Sequence, residues 1–325
     1  MSNKPLVSII TPCYNGEKFL DRYFNAILSQ TYDNLELIFV NDGSSDRTEE
    51  IVFSYRDELK NKGVEFIYIY QENAGLAASI NKALKFFKGD YLTWPDCDDW
   101  MPRDMIEKQV EYLSQNPNKC LVLNKCQYVS EDDYVSVIKE RTRNNKSKYH
   151  IFEDLISHRD IYWAAGAVMI NAKHFLAENP QRDIFEGLCG QNYQMMLPIA
   201  YKYECGFLDY PVYNILSRGD SHSRNLKTPQ EAYEYNRRNE ETLLQTLYRI
   251  QMTEEEKERY IRLAKYECAK KRFYLAIEFC DRNNVKKFYK EMKLNGKITL
   301  KMYVQYVIFK NSFLSKIYNI ITQKS

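Results

Sequence analysis

Residues 7–48 read VSIITPCYNGEKFLDRYFNAILSQTYDNLELIFVNDGSSDRT, and their pattern decides the fold class. Leu6 to Thr11 is an apolar run of strand length. Glu17 to Gln30 then sets Phe19, Leu20, Tyr23, Phe24, Ile27 and Leu28 at helical spacing, one stripe turned toward a core. Leu35 to Val40 is a second apolar strand, closed by the turn residues Asn41-Asp42-Gly43. Asp46 is placed to cap the helix that follows by accepting from its free amides. Further along come a strand at Val64 to Tyr70, a helix at Leu76 to Phe87 and a strand at Tyr91 to Trp94. A helix at Asp104 to Ser114 and a strand near Cys120 to Leu123 continue the series. Strand–helix alternation of this kind predicts an α/β fold, a mostly parallel sheet with helices on both faces.

From about 126 to 225 the pattern loosens. Ser130 to Lys148 is polar and loop-like, and it adjoins a buried-looking segment, Trp163 to Ile170, and a helical stretch from Gly190 to Tyr203. After Thr228-Pro229 the chain turns helical, with charges interleaved among Tyr, Leu and Ile. The expected division is an α/β domain over 1–225 and an all-helical region over 226–325.

The 325 residues carry 46 basic and 44 acidic side chains, a net charge of +2. At roughly 100–200 residues per domain, that length suits two domains. With 44% hydrophobic and 28% charged residues, global disorder is excluded. So near-neutral a balance argues against a nucleic-acid binder that relies on bulk charge. The eight cysteines are scattered without a C-x-x-C pair, which points to a reducing compartment rather than a disulfide frame or structural zinc. The opening MSNKPLVSII is too short an apolar run for a signal peptide, and no stretch reaches the about 20 residues of a membrane span. The expected location of the catalytic body is therefore the cytoplasm.

Open parallel sheets bind ligands at the carboxyl ends of their strands. Three polar clusters fall at such ends: Thr11-Pro12-Cys13-Tyr14-Asn15, Asn41-Asp42-Gly43-Ser44 and Asp96-Cys97-Asp98-Asp99. Side by side, they supply an aromatic ring, a carboxylate for a base or ribose, and an acidic cluster. Three acids in four residues repel one another. Either they cap the next helix and face water, or a cation neutralises them. Hard oxygen donors favour Mg²⁺ or Mn²⁺. Neither a G-x-G-x-x-G fingerprint nor a Walker A motif is present, which argues against dehydrogenases and P-loop enzymes.

The opening stretch, followed by QENAGLAASINKAL (71–84) and GDYLTWPDCDDWM (89–101), resembles the family 2 glycosyltransferases of the GT-A fold. The likeness is specific over residues 5 to 115, weaker from 116 to 225 and absent beyond. It implies a Rossmann-like GT-A domain with a nucleotide-sugar half over 1–99 and an acceptor half over 100–225. By that resemblance Pro12 and Tyr14 line the base and ribose pocket, and Asp42 accepts from a uracil imide if the donor is a UDP-sugar. Asn73 and Gly75 let backbone approach the nucleoside. Asp96-Cys97-Asp98 matches the D-x-D element, with Asp96 near the ribose, Asp98 on the metal and Asp99 supporting them. The implied cofactor is Mn²⁺ or Mg²⁺, stabilising the leaving nucleoside diphosphate. The implied activity is inverting sugar transfer to a hydroxyl of a glycan, lipid-linked or protein-linked acceptor, in building a surface polysaccharide or glycoprotein.

Inverting transfer needs a carboxylate base. The family carries a Glu-Asp pair at the start of a helix, but in GLCGQNYQMMLP (187–198) the matching positions are the amides Gln191 and Asn192. Glu186 and Asp183 are the upstream candidates, Glu186 preferred; alternatively, the amides orient an acceptor hydroxyl. Trp163 and Gly166 match the family's segment beneath the donor sugar, where Trp163 either stacks on the sugar or belongs to the core. Arg218 and His222 sit where the family has a loop over the diphosphate, Arg218 as a phosphate clamp and His222 as a third metal ligand or a solvated side chain. The amides also leave open a non-catalytic nucleotide- or glycan-binding homologue. A nucleotidyltransferase is disfavoured because TPCYNGEKF lacks the Gly-rich basic character of a triphosphate loop.

The tail has its own character. From Asn284 to Ser325 there are nine lysines and one acid, Glu291, a local net of +8. Aromatic and aliphatic residues alternate with those lysines. Such helices either lie at the inner face of an anionic membrane or pack on the catalytic domain or on a second subunit.

Overall fold

The computed structural model describes residues 4–162, 164–219 and 228–311. The chain divides into two compact units, 1–219 and 220–325. In the first, β1 (Val7–Cys13), α1 (Leu20–Leu28), β2 (Leu35–Asp42), α2 (Thr48–Ser54), α3 (Arg56–Lys62), β3 (Glu65–Gln71), α4 (Leu76–Leu84), β4 (Tyr91–Thr93) and α5 (Met105–Gln115) alternate as the pattern requires. There follow β5 (Lys119–Ser130), β6 (Val137–Arg141), α6 (Phe152–Ser157), β7 (Val168–Asn171), α7 (Ala172–Glu178), α8 (Gln191–Lys202) and β8 (Glu204–Ser217).

The eight-stranded sheet runs β3-β2-β1-β4-β7-β5-β6, with β8 pairing β5. Strands β1 to β4 are mutually parallel, β7 is antiparallel to both of its neighbours, and β8 is parallel to β5. This is the mostly parallel, helix-flanked sheet expected from the alternation. β1 and β2 are buried almost throughout, which is why they read as mostly apolar runs, with Ser8 and the buried Glu36 hydrogen-bonded to each other across the pair. On α1, Leu20, Tyr23, Phe24 and Ile27 fill the core against Phe39 and Val52.

One expectation changes between 126 and 219, and one strand is added. The polar, loop-like stretch Ser130 to Lys148 contains β6, which forms an antiparallel hairpin with β5. Every residue of β6 is exposed, so it carries none of the alternating burial that marks a strand in sequence. The added strand is β8, where the sequence shows no clear run because Gly206, Asp209 and Pro211 interrupt it. Its pairing with β5 shifts between Leu208 and Tyr213, and the three extra residues there loop out around Pro211.

The second unit is helical: α9 (Pro229–Arg249), α10 (Glu254–Glu278), α11 (Arg282–Asn295) and α12 (Leu300–Lys310). Thr228 with Glu231, and Thr253 with Glu256, form capping boxes that start α9 and α10. Tyr233, Phe273, Val285, Phe288, Met292, Met302 and Phe309 make its core. Arg272 is buried and paired with Glu240 and with Glu291, the latter at 3.1 Å. None of the eight cysteines, all among the described residues, is joined in a disulfide. Among the described residues no helix is long and apolar enough to cross a membrane.

Candidate functional site

Strand order reverses between β1 and β4, the topological switch point where such sheets open a crevice. The carboxyl ends of β2, β1 and β4 lie side by side there, which brings together the three polar clusters. The loops after β1 and β2 are laced to each other. Asn15 donates its amide to Ser44 Oγ at 2.9 Å and accepts from Ser45 N at 2.9 Å. Asp46 accepts from Glu17 N and from Thr48 N, the first amide of α2, both at 3.0 Å. Gly16 N donates to Thr48 Oγ1 at 2.9 Å. Pro12, half-buried, is the last but one residue of β1, and Tyr14 just past the strand is exposed.

Asp42, the last residue of β2, is buried. Its Oδ1 accepts from Gln71 Nε2 at 2.7 Å and Ala74 N at 2.9 Å, and its Oδ2 from Gly75 N at 2.9 Å. A carboxylate has about four acceptor positions. Two are spent on the Asn73-Ala74-Gly75 turn and one on Gln71 at the end of β3, and one on Oδ2 is left. Gly75 begins α4 at φ +89 and ψ 166, a region essentially confined to glycine. Gly43 approaches this turn so closely that a Cβ there would lie 2.6 Å from Asn73 N.

Past β4, one carboxylate oxygen from each of Asp96, Asp98 and Asp99 falls within 4.8 Å of the others. Asp99 is buried, and its Oδ1 accepts from Leu216 N of β8 at 2.8 Å. Asp98 Oδ2 lies 3.0 Å from the Arg218 guanidinium, which also stands over the Phe19 ring. The crowding is visible in the acids themselves. Loss of hydration, then the Asp98 charge, lifts Asp96 to about 7 against the opposing pull of Arg218. Burial and its two acidic neighbours hold Asp99 well above the ordinary carboxylate range. Burial, reinforced by all three acids, pushes the Tyr213 phenol up as well. A cluster of hard oxygens with surplus negative charge suits a divalent cation. Each of the three could offer it an oxygen, and Asp99 is in addition tied to β8 through Leu216.

Several contributors carry no signal in the sequence. Arg22 of α1 donates Nη2 to the Asp98 carbonyl at 2.6 Å, its guanidinium 4.6 Å from the Trp100 ring and 4.5 Å from that of Tyr134. Nothing local in Asp21-Arg22-Tyr23 marks it. Asn81 of α4 exchanges hydrogen bonds with Ile184, Nδ2 to O at 2.9 Å and N to Oδ1 at 2.7 Å, and also donates to Glu186 Oε1 at 3.1 Å. Glu186 is thus tied to the helix that opens at Gly75. None of the ion pairs or hydrogen bonds among the described residues joins it to the acidic cluster. Asp183 lies on the same loop, its carbonyl accepting from Asn179.

Of the two amides at the start of α8, Asn192 accepts from Trp94 Nε1 at 2.8 Å and Gln191 is buried. Gly166 sits in a buried 3₁₀ turn against Tyr213, where a Cβ would meet the phenol at 2.4 Å. Trp163 and His222 lie outside the described residues.

Comparison with known proteins bears on this arrangement. Residues 8–172 match the family model described as Glycosyl transferase family 2. Over 112 residues the chain is 37% identical to a protein of Bacillus subtilis named as the putative teichuronic acid biosynthesis glycosyltransferase TuaG, covering 34% of this chain and 43% of that one. The match spans between about a fifth and about a third of the length of the rickettsial relatives and under half of TuaG. Among solved structures, residues 1–349 of TarS from S. aureus, in complex with UDP-GlcNAc, superpose with a TM-score of 0.62 at 15% identity, covering 95% of this chain and 91% of that one. The mannosyltransferase PcManGT of Pyrobaculum calidifontis, in complex with GDP-Man and Mn²⁺, gives 0.55 at 16% identity over 98% and 88%. At those identities the likeness concerns the fold.

Proposed function

The chain belongs to glycosyl transferase family 2, and we propose that it moves a sugar from a nucleoside-diphosphate donor, a UDP-sugar, to a hydroxyl of a glycan, lipid-linked or protein-linked acceptor. The observation that carries this reading is the acidic cluster at the switch point, beside the turn held by Asp42. In this reading Pro12, Tyr14, Asp42, Asn73 and Gly75 receive the nucleoside. Asp96 faces the ribose, Asp98 with His222 holds Mn²⁺ or Mg²⁺, and Arg218 leaves Asp98 for the diphosphate. A divalent ion there supplies positive charge for the departing diphosphate. The sugar's anomeric carbon leaves the diphosphate oxygen for the acceptor oxygen from the opposite side, with inversion, and Glu186 takes the hydroxyl proton. The bond from Asn81 fixes Glu186 relative to α4 and hence to the donor turn.

The test is release of nucleoside diphosphate from a panel of nucleotide sugars, with and without Mn²⁺, for the wild type and for Asp98→Ala. Slow release from one donor, lost on chelation and in the variant, is expected. No release from any donor, together with no metal-dependent binding of UDP, GDP or dTDP by calorimetry, would overturn the proposal in favour of a non-catalytic glycan-binding module.

A further inference from the structure

The outer faces of α11 and α12 are built in an unusual way. On α12, Met302, Tyr306 and Phe309 turn into the helical core. The opposite face is apolar too: Leu300, Tyr303 and Val304 are 79%, 52% and 45% exposed, and Val307 continues the stripe one turn on. Lys301 and Lys310 border that stripe on its two sides. On α11, Lys286, Lys290 and Lys293 stand at i, i+4 and i+7 on one exposed face, beside Leu294 at 83% exposure. Lys297 follows in the connection to α12. From 286 to 310 the chain has seven lysines and one acid, Glu291, which is already paired with Arg272. None of Lys286, Lys290, Lys293, Lys297 and Lys301 forms an ion pair among the described residues.

We propose that this face docks on an anionic lipid bilayer, the apolar stripe of α12 entering the headgroup boundary while the lysines of α11 and the stripe's edges meet the lipid phosphates. Two features select this occupant. Exposed aliphatic side chains and a ring, flanked by long cationic ones, match an interface whose apolar and anionic layers are a few ångströms apart. A second copy is the poorer fit, because a symmetric contact would set one lysine row against another, and lysine is depleted from protein interfaces. This inference rests on the second unit alone and stands or falls independently of the donor chemistry.

The experiment is sedimentation of the full chain with phosphatidylcholine vesicles and with vesicles containing 30% phosphatidylglycerol, over a range of salt. Binding to the anionic vesicles is expected, weakening as salt rises. Each lysine at such a surface contributes about fivefold, so Lys286→Gln/Lys290→Gln/Lys293→Gln loses on the order of a hundredfold. Leu300→Ser/Val304→Ser loses roughly tenfold and keeps the wild-type salt dependence. Circular dichroism confirms that both variants fold.

Equal sedimentation with neutral and anionic vesicles would overturn the proposal, as would undiminished binding by the triple variant. A dimer in ultracentrifugation that Leu300→Ser/Val304→Ser dissolves, without vesicle binding, would assign the face to a second copy. Binding kept by both variants but lost on truncation after Asn311 would assign it to residues 312–325.

Discussion

Replacing Asp42 by Asn tests whether one carboxylate organises the donor side of the crevice. The substitution keeps shape and volume and exchanges one acceptor oxygen for an NH₂ group. In its better orientation the amide keeps its oxygen toward Gln71 Nε2 and Ala74 N, which leaves the NH₂ facing Gly75 N. That amide loses its acceptor beside a buried side chain, at a cost of about 1–3 kcal/mol. The two surviving bonds change from charge-assisted to neutral, roughly 1 kcal/mol each. The total is about 3–5 kcal/mol. For a unit near 200 residues, at about 2–4 °C per kcal/mol, melting should fall on the order of 10 °C.

The same change releases the Asn73-Ala74-Gly75 turn and removes the last acceptor position, so UDP affinity should fall about tenfold or more. Differential scanning calorimetry and titration calorimetry with UDP read the two effects. A melting shift under about 2 °C, with UDP affinity unchanged, would refute the claim that this carboxylate holds the turn.

Arg22→Met removes the donor to the Asp98 carbonyl and the cation between two aromatic rings. A shift of about 1 Å in the acidic loop is worth on the order of a hundredfold in rate, so Mn²⁺-dependent donor hydrolysis should fall by that order and Arg22→Lys should restore only part. An unchanged Mn²⁺ titration would refute this positioning role. His174, stacked on Tyr203 at 4.2 Å, is held below its ordinary 6.5 by burial first and Lys173 second. The unfolded chain therefore takes up this proton first as pH falls, and stability declines below pH 6.5 until the folded pKa is passed. Urea midpoints from pH 7.5 to 5 should fall less steeply for His174→Gln than for the wild type, and parallel curves would refute the assignment.

The elements legible along the chain are those whose signal is local. β1 and β2 announce themselves as short, mostly apolar runs and α1 by the helical spacing of its buried face, and the acids after β4 stand together within four consecutive positions. The capping boxes of α9 and α10 are equally local, three residues apart. β6 and β8 are a different matter. Exposed on every residue, β6 has no apolar face to display, and β8 is interrupted by Gly206 and Pro211, so both owe their extended form to β5.

The same division runs through the candidate site. Which groups could serve a metal and a nucleoside was written in short motifs, because residue chemistry needs no neighbours to be recognised. How those groups are held was not. Asp98 is fixed by Arg22 from 76 residues away, Asp99 by Leu216 from 117, and Glu186 by Asn81 from 105. Hydrogen bonds act over about 3 Å and carry no trace along the chain. Only the packing of the helices and of β8 about the sheet brings such partners into range.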